Sequence, residues 1–213
     1  MKLYSFFNSS TSYRVRIALA LKGLSYDYNG VNLRVGDQTV EEYIQLNPSK
    51  GVPILVTDDG IPLTQSMAII QYLDDKYPET KLIPEQLSEK TRVLEFSNAI
   101  ACDIHPINNL RVLGYLTKNF DASSGQKNDW YSHWIAEGFS ALESLLSRYG
   151  KGKYCFGDSP SLADCCLVPQ VANALRFGCD LSEYSRVMSV YKSCLEHAAF
   201  QLAAPSEQPD YTS

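Results

Sequence analysis

Four hydroxyl side chains follow the first apolar stretch of the chain, at Ser9, Ser10, Thr11 and Ser12. A helical pattern begins directly after them and ends at Gly23, a residue type that suits a left-handed helix cap. Hydroxyl groups and free backbone N–H groups at a helix N-terminus favour an anion, because the helix dipole and the donors both point there. This pattern predicts a site for a phosphate, a carboxylate or a thiolate; the alternative is that one hydroxyl only caps the helix.

Two dipeptides further along the chain could present backbone and side-chain groups to a ligand. Val52-Pro53 lies just before an apolar strand, and a cis bond there would expose the Val52 backbone for pairing with an extended ligand. Gln65-Ser66 opens the next helical pattern, where Ser66 could bind a carboxylate or act as an N-cap. The two interpretations of Ser66 are compatible, since a cap hydroxyl and free N–H groups can share one anion.

Composition excludes several classes of function. The 213 residues carry a formal charge of −5 with a pI of about 5.2, which argues against a nucleic-acid partner because phosphate binding needs a basic face. No apolar run is long enough to span a bilayer and the N-terminus lacks a signal-peptide pattern, so we expect a cytosolic (cytoplasmic) protein with no membrane partner. The three histidines show no metal-ligand spacing and the six cysteines include no CxxC pair, so we expect no metal site and buried thiols.

The elements that must position these motifs alternate between strand and helix patterns in the N-terminal part of the chain. A β–α–β start predicts parallel pairing of the first two strands. The turn Asp58-Asp59-Gly60 lies between two short apolar runs and predicts a hairpin, which adds an antiparallel pair. The predicted strands are Leu3–Phe7, Ser25–Val31, Pro53–Val56 and Ile61–Leu63, and the predicted helices are Arg14–Lys22, Glu41–Leu46 and Ser66–Lys76.

Strand patterns disappear after Tyr77–Ser88, a segment with two prolines that we interpret as a linker. The apolar residues beyond it recur at helical spacing and predict an all-α second domain. One long helical pattern runs from Val93 to Leu113, and a polar break at Ser123–Asp129 separates it from the next helix.

Two local signals refine the second domain. Pro106 falls inside the long helical pattern, where it cannot donate to the Cys102 carbonyl and should kink the helix. Ser161 and Asp164 have the spacing of a capping box before another apolar run. We interpret this box as folding information, not as chemistry.

These motifs together resemble the zeta class of the glutathione transferases, which includes maleylacetoacetate isomerases. Ser9–Gly23 is similar to the zeta signature SSCxWRVRIALxxKG, and the stretches at Asn47-Pro48, Val52-Pro53 and Gln65–Ile70 also fit. The run from Leu162 to Ala174 fits as well. The resemblance therefore extends over nearly the whole chain, with independent motifs in both parts.

Two residues depart from the zeta pattern. Thr11 stands where the signature has a cysteine, and Asn8 stands where an arginine usually precedes the two serines. Thr11 and the run Cys102–Asn109 resemble the glutathione-dependent maleylpyruvate isomerases, so both isomerase activities stay open. The missing arginine removes one expected partner of a substrate carboxylate, because asparagine cannot replace a bidentate guanidinium contact.

The resemblance implies a thioredoxin-like α/β N-terminal domain over residues 1–80 and an all-α C-terminal domain over residues 88–213. It implies glutathione as cofactor, a maleyl keto acid as the small-molecule substrate, and a homodimer. The implied reaction is a cis–trans isomerisation, in which the glutathione thiolate adds to the double bond, the single bond rotates and elimination restores the thiolate. The alternatives are a general glutathione transferase and, because the site motifs are intact, less favourably a non-catalytic binding module.

The same resemblance assigns roles to single residues. Ser9 would donate to the thiolate, with Ser10 and Thr11 beside it. The residues expected to hold the γ-glutamyl, cysteinyl and glycyl parts of glutathione are, in that order, Gln65 and Ser66, Val52, and Gln38 and Lys50. The second domain would line the open side of the site with His105, Asn108 and Asn109 and would bind substrate carboxylates with Arg111 and Arg176. For each arginine, a solvated surface position or a structural ion pair is the alternative.

Overall fold

The computed structural model describes residues 1–212. Their packing separates two compact units: Met1–Leu82 with the described part of Leu195–Ser213, and Ile83–Cys194. The last segment therefore packs with the N-terminal unit, although it falls within the predicted helical domain of residues 88–213. That division into functional domains stays a prediction.

A four-stranded mixed sheet lies at the centre of the first unit, in the order β2-β1-β3-β4. β1 (Lys2–Ser5) is parallel to β2 (Asp27–Gly30) and antiparallel to β3 (Ile54–Val56), which forms a hairpin with β4 (Pro62–Thr64). The predicted parallel pair and the predicted hairpin are confirmed. Leu3 of β1 and Ile54 and Leu55 of β3 are fully buried, so apolar burial holds the central strands together.

Three helices belong to the same unit, α1 (Ser10–Leu21), α2 (Glu41–Leu46) and α3 (Ser66–Lys76). α1 begins well before the predicted start at Arg14, because Ser9 caps it by accepting from the backbone of its first turn. Gly23 has a φ of +65°, as expected for a left-handed cap. α1 packs against α3, so these two helices form one layer of the first unit.

The chain returns to the first unit near its C-terminus. The short helix α9 (Ala198–Leu202; α4–α8 are described below) packs against α1. Two buried α1 side chains bond to this region: the Tyr13 hydroxyl donates to the Phe200 carbonyl at 3.4 Å, and Arg16 Nε donates to the Ala203 carbonyl at 3.0 Å. Each bond joins residues 187 positions apart, so no local sequence pattern predicts it.

The second unit is helical, as predicted. Its helices are α4 (Leu87–Asn98), α5 (Leu110–Phe120), α6 (Ser124–Tyr149), α7 (Leu162–Arg176) and α8 (Ser185–Leu195), the last of which ends in the first unit. Within residues 83–194, strand-like pairing is limited to one isolated bridge, between Lys151 and Phe156. The whole chain thus combines a small α/β unit with an all-α unit.

The predicted long helix from Val93 to Leu113 is wrong, because the chain forms two helices there. α4 continues into a π-helical turn, Ala99–Ile104, in which the His105 N–H donates to the Ile100 carbonyl at 2.9 Å. Pro106 has no N–H to continue the ladder, so an irregular turn replaces the expected kink.

Capping boxes set the starts of α6 and α7. The polar break at Ser123–Asp129 was predicted too long, because Ser123 and Gln126 cap each other and start α6 at once. The predicted box before α7 is present, and Asp164 accepts from the Ser161 N–H at 2.8 Å. Asp164 also accepts from the Cys155 N–H at 2.9 Å, which ties the preceding loop to the helix start.

Candidate active site

The hydroxyl cluster lies at the N-terminus of α1, and its members bond to one another. Ser9 Oγ accepts from the Ser12 N–H at 3.2 Å and lies 2.9 Å from Thr11 Oγ1. Thr11 Oγ1 donates to the Val52 carbonyl at 2.8 Å. The fold therefore joins the hydroxyl turn to the residue before Pro53, although Thr11 and Val52 are 41 positions apart.

The number of hydroxyl protons fixes the direction of the bond between Ser9 and Thr11. A carbonyl oxygen can only accept, so the single Thr11 proton is donated to Val52 and Ser9 is the donor to Thr11. The Ser9 hydroxyl can rotate toward a bound anion while Thr11 keeps its own bond. Thr11 would have to release the Val52 carbonyl first, so Ser9 is the better placed donor.

The loop that carries Val52 is fixed by side chains of its own unit. The Val52-Pro53 peptide bond is cis. The carbonyl of Gly51 accepts from the Tyr43 hydroxyl at 2.5 Å and from Asn47 Nδ2 at 2.8 Å. Burial raises the pKa of Tyr43, which keeps this hydroxyl protonated as a donor. Together with Thr11, these bonds hold the Val52 backbone in one position.

The start of α3 contains a residue in a strained backbone conformation. Gln65 has a φ of +69° and a ψ of 113°, a region that side-chain-bearing residues rarely adopt. Such strain costs about 1–3 kcal/mol, persists only where the surroundings enforce it, and clusters at binding sites. Ser66 follows as the first residue of α3; it is buried, and its hydroxyl oxygen accepts from Arg14 Nη1 at 3.3 Å.

The charges around these two helix starts favour an anion. The first turns of α1 and α3, residues 10–13 and 66–69, contain no Asp or Glu. Arg14 adds a buried guanidinium beside Ser66. Helix dipoles and this cation act in the same direction, so an anionic ligand is stabilised here.

Sequence reasoning missed Arg14 and Asn47 as parts of this site. Arg14 lies in an apolar helical stretch between Tyr13 and Val15, and a charge in such a stretch was the available signal. Asn47 belongs to a stretch that fits the family pattern, which assigns it no contact. Its contact to Gly51 depends on how the loop folds back, which no local pattern shows.

A second group of predicted site residues lies in the second unit, in the turn between the π-helical turn and α5. Asn109 caps α5 by accepting from the Arg111 N–H at 3.0 Å, and its Nδ2 lies 3.4 Å from His105 Nε2. π-Helical turns are frequent at functional sites, and this one ends directly before His105.

Side chains and carbonyls tie this turn to α6. Asn108 Nδ2 donates to the Tyr131 carbonyl at 3.2 Å, and Trp130 Nε1 donates to the Ile107 carbonyl at 3.0 Å. The structure therefore brings His105, Asn108 and Asn109 together on one anchored turn.

Two predicted ligand residues have a buried amide oxygen that lacks a hydrogen-bond partner among the described residues, Gln38 Oε1 and Asn108 Oδ1. Gln38 lies in the 3-10 helix Asp37–Thr39 of the first unit. Leaving such an oxygen without a donor costs about 1–3 kcal/mol. Each oxygen is therefore suited to accept an N–H from a ligand.

The remaining predicted residues are spread over both units. In the first unit, Ser10 is buried as the first residue of α1, and Lys50 is exposed with a φ of +54°. In the second unit, Arg111 and Arg176 are exposed, and Arg176 Nη2 donates to Asn173 Oδ1 at 2.8 Å. Both guanidinium groups are accessible to a carboxylate, and their role in substrate binding stays a prediction.

Among residues 1–212, no three His, Cys, Asp or Glu side chains are grouped to hold a metal ion, and no helix has the length and apolar character to cross a membrane. Four cysteines are buried, and burial raises the thiol pKa of three of them, Cys155, Cys165 and Cys194. These thiols are poor nucleophiles at neutral pH.

Family models match both parts of the chain. The model of the glutathione S-transferase N-terminal domain matches residues 1–75, and that of the C-terminal domain matches residues 128–196. A probable maleylacetoacetate isomerase of Vibrio cholerae is 47% identical over 210 residues, which cover 98% of this chain and 97% of that protein. A maleylpyruvate isomerase of a Ralstonia species is 46% identical over 211 residues, which cover 99% of each.

Solved structures agree over the full length. The holo structure of a maleyl pyruvate isomerase, described as a bacterial glutathione S-transferase of the zeta class, has a TM-score of 0.96 at 45% identity and covers 100% of both chains. A maleylacetoacetate isomerase from Methylobacterium extorquens, solved with bound malonate and glutathione, has a TM-score of 0.95 at 34% identity with the same coverage. The chain therefore belongs to the zeta class of the glutathione S-transferase family.

Proposed function

We propose that this protein is a glutathione-dependent cis–trans isomerase of a maleyl keto acid, either maleylacetoacetate or maleylpyruvate. The observation that carries the proposal is its identity of 46–47% over almost its whole length to isomerases of both names. The cluster of Ser9, Thr11 and Val52 supports it, because these contacts leave the Ser9 hydroxyl able to turn toward a bound thiolate.

Residues of the first unit fit glutathione, a tripeptide with carboxylates at both ends. Ser66, beside the buried Arg14, suits the γ-glutamyl carboxylate, and Gln65 lies next to it at the start of α3. The fixed backbone of Val52 suits pairing with the cysteinyl part. The buried oxygen of Gln38 suits an N–H donor of a peptide-like ligand. The exposed ammonium group of Lys50 is assigned to the glycyl carboxylate.

Bound glutathione supplies a thiolate that adds to the cis double bond, lets the new single bond rotate and leaves again unchanged. The protein must favour the thiolate, because a thiol with a pKa near 8.5 is only a few per cent ionised at pH 7. Lowering that pKa by about two units requires roughly 2.7 kcal/mol of preferential stabilisation. The Ser9 hydroxyl and the N-terminus of α1 provide a donor and a favourable dipole.

The remaining assigned residues lie in the second unit. We propose that His105, Asn108 and Asn109 bind glutathione, and the buried Asn108 oxygen is suited to accept a donor from it. Arg111 and Arg176 are assigned to the substrate carboxylates, since Asn8 stands where the zeta pattern usually has an arginine.

Turnover of both maleyl compounds tests the proposal. The purified protein is incubated with maleylacetoacetate and with maleylpyruvate, each with glutathione and each with S-methylglutathione, whose sulfur cannot form a thiolate. We expect the fumaryl product from at least one compound, only with glutathione, and with no net loss of glutathione. Full turnover in thiol-free buffer, or none of either compound with glutathione, contradicts the proposal.

General glutathione transferase activity is the second candidate. Both departures from the zeta pattern leave room for it, because Thr11 replaces the signature cysteine and Asn8 removes one expected partner of a substrate carboxylate. A chlorinated aromatic electrophile in the same assay separates the two. Conjugation faster than isomerisation of either maleyl compound would support the transferase.

We also propose a cytosolic homodimer, by similarity to the family. Sedimentation at micromolar concentration should give twice the 23.8 kDa mass of one chain. A mass near 23.8 kDa under those conditions would contradict the dimer.

A further inference from the structure

The C-terminal segment of the chain contacts the turn that leads into Ser9, through the side chain of Asp210. Asp210 accepts two hydrogen bonds there, one on each carboxylate oxygen. The Phe7 N–H donates to Oδ2 at 3.0 Å, and the Tyr28 hydroxyl donates to Oδ1 at 2.5 Å. Burial and donation to Asp210 raise the pKa of Tyr28, so this hydroxyl stays a donor.

The backbone around Phe7 is held from two directions. The turn is closed by the Ser9 N–H, which donates to the Phe6 carbonyl at 2.9 Å. The buried Arg16 donates from Nη2 to the Phe7 carbonyl at 3.0 Å and from Nη1 to the Phe6 carbonyl at 3.4 Å. Arg16 thus fixes the carbonyls of this turn, and Asp210 fixes its N–H.

The fit of the tail to this place is close. A Cβ atom on Gly30 of β2 would lie 3.2 Å from Asp210 Cβ, so the glycine leaves room for the carboxylate to reach the turn. The Tyr211 ring packs edge-on against the Phe7 ring, with centroids 5.4 Å apart. Thr212 accepts from Arg34 Nη1 at 3.3 Å.

We propose that Asp210 is a positioning residue, which holds the Phe7–Ser9 turn so that the Ser9 hydroxyl reaches the glutathione sulfur. The inference rests on the proposed function, because it needs a bound thiol. Phe7 is two residues before Ser9, and it is anchored from the opposite end of the chain. A shift of the turn would move the donor oxygen away from the sulfur, and misplacement by about 1 Å can cost 10²-fold in rate.

Three substitutions and a control test the proposal. Asp210→Ala removes both acceptors, and Asp210→Glu keeps the charge but places it one methylene further out. Asp210→Asn can rescue, since its oxygen still accepts from the Phe7 N–H, the bond that holds the turn, although its amide group cannot accept from the Tyr28 hydroxyl. Glu207→Ala removes a carboxylate from the same C-terminal segment, where Glu207 accepts from the neighbouring Ser206 hydroxyl.

The readouts are the thiolate absorbance of the glutathione complex against pH and kcat for the maleyl compound that the wild type turns over. We expect Asp210→Ala and Asp210→Glu to raise the bound thiol pKa and to lower kcat about tenfold. Asp210→Asn should stay within about threefold of wild type, and Glu207→Ala should match it. If Asp210→Ala does not fold, Asp210→Glu decides alone.

The proposal is overturned if Asp210→Ala or Asp210→Glu lowers the melting midpoint but leaves the thiol titration and kcat at the Glu207→Ala level. Asp210 would then only anchor the tail. Failure of the proposed function looks different: the wild type would isomerise neither maleyl compound. The thiol titration would still report on Asp210 in that case, because it needs glutathione but no substrate.

Discussion

Ser9 has two roles that a single substitution would mix. Its oxygen caps α1 by accepting from Ser12, and its proton is available for an anion once it leaves Thr11. Replacing an N-cap serine with alanine costs about 0.5–2 kcal/mol, whereas glycine costs only a few tenths. Comparing the two substitutions therefore separates helix stability from donation to sulfur.

We expect Ser9→Gly and Ser9→Ala to lower kcat by about 10²–10³, the usual effect of removing one donor to a developing anion. Only Ser9→Ala should also lower the melting midpoint clearly. Steady-state kinetics, thermal melts and the thiolate titration of the glutathione complex measure these effects.

Thr11→Cys, which restores the usual zeta residue, should keep activity. If Ser9→Gly leaves the titration unchanged and Thr11→Val raises the thiol pKa, Thr11 is the donor.

A buried ion pair at the end of the first unit is a second residue-scale feature. Lys22 Nζ lies 2.8 Å from Asp74 Oδ1, and both side chains are almost fully buried. The same ammonium group donates to the carbonyls of Tyr77 at 3.0 Å and Thr80 at 2.6 Å. All three of its N–H donors are therefore used, and they hold the first part of the predicted linker.

Lys22→Met should destabilise the protein by about 3–5 kcal/mol, because it removes the cation beside a buried carboxylate. The melting midpoint should fall by roughly 6–20 °C for a chain of this size. Lys76→Met is the matched control, since Lys76 pairs with Asp59 at 3.4 Å on the surface. A midpoint shift no larger for Lys22→Met than for Lys76→Met would contradict this assignment.

At the scale of elements, the π-helical turn depends on a glycine in the neighbouring helix. A Cβ atom on Gly138 of α6 would overlap the side chain of Ile104, the last residue of the π-helical turn. His105 follows directly. The absence of a side chain at Gly138 therefore lets the turn that carries the predicted site residues approach α6.

Gly138→Ala should push Ile104 outward and reduce kcat/KM about tenfold, through the position of His105. The double variant Gly138→Ala, Ile104→Ala should recover part of the loss because the overlap is relieved. Gly114→Ala is the control: a Cβ there meets open space, and alanine in α5 should add about 0.5–1 kcal/mol of stability. Steady-state kinetics and thermal melts of the purified variants measure these effects. An unchanged kcat/KM in Gly138→Ala would contradict the proposed role of Gly138 in positioning His105.

At the scale of the whole molecule, the C-terminal segment completes the first unit. Phe200 and Ala203 are buried in it, and both carbonyls accept from α1 side chains. Burial strongly disfavours an unsolvated guanidinium and lowers the pKa of Arg16. The C-terminal segment therefore supplies one of the acceptors that stabilise the buried Arg16 charge, the carbonyl of Ala203.

Truncation after Leu195 should lower stability by roughly 3–6 kcal/mol, from the lost charge-assisted bond of Arg16 and the lost burial of Phe200. The melting midpoint should fall by about 6–24 °C. Truncation after Tyr211 removes Thr212 and Ser213 only and should change it little. Equal midpoints for the two truncated chains would show that the tail adds no stability to the first unit.

The sequence by itself determined the order of strands and helices in the N-terminal part of the chain, the parallel pair, the hairpin, the Gly23 cap and the capping box at Ser161. Each depends on residues close together in the chain, through side-chain periodicity, turn residues or caps. The family motifs at Ser9, Val52 and Gln65 also consist of residues close together in the chain. The resemblance to the zeta class can therefore be recognised from the sequence without the fold.

Only the tertiary structure decided which residue Thr11 bonds to, where Arg16 finds its acceptors and how Asp210 reaches Phe7. These contacts join residues 41 to 203 positions apart, and a buried donor takes whichever acceptor packing brings to it. The interruption of the helical pattern near Pro106 has a related cause. The helical spacing of apolar residues continues through Pro106, but the missing N–H of this proline and the packing of Ile104 against Gly138 determine where the chain leaves the helix.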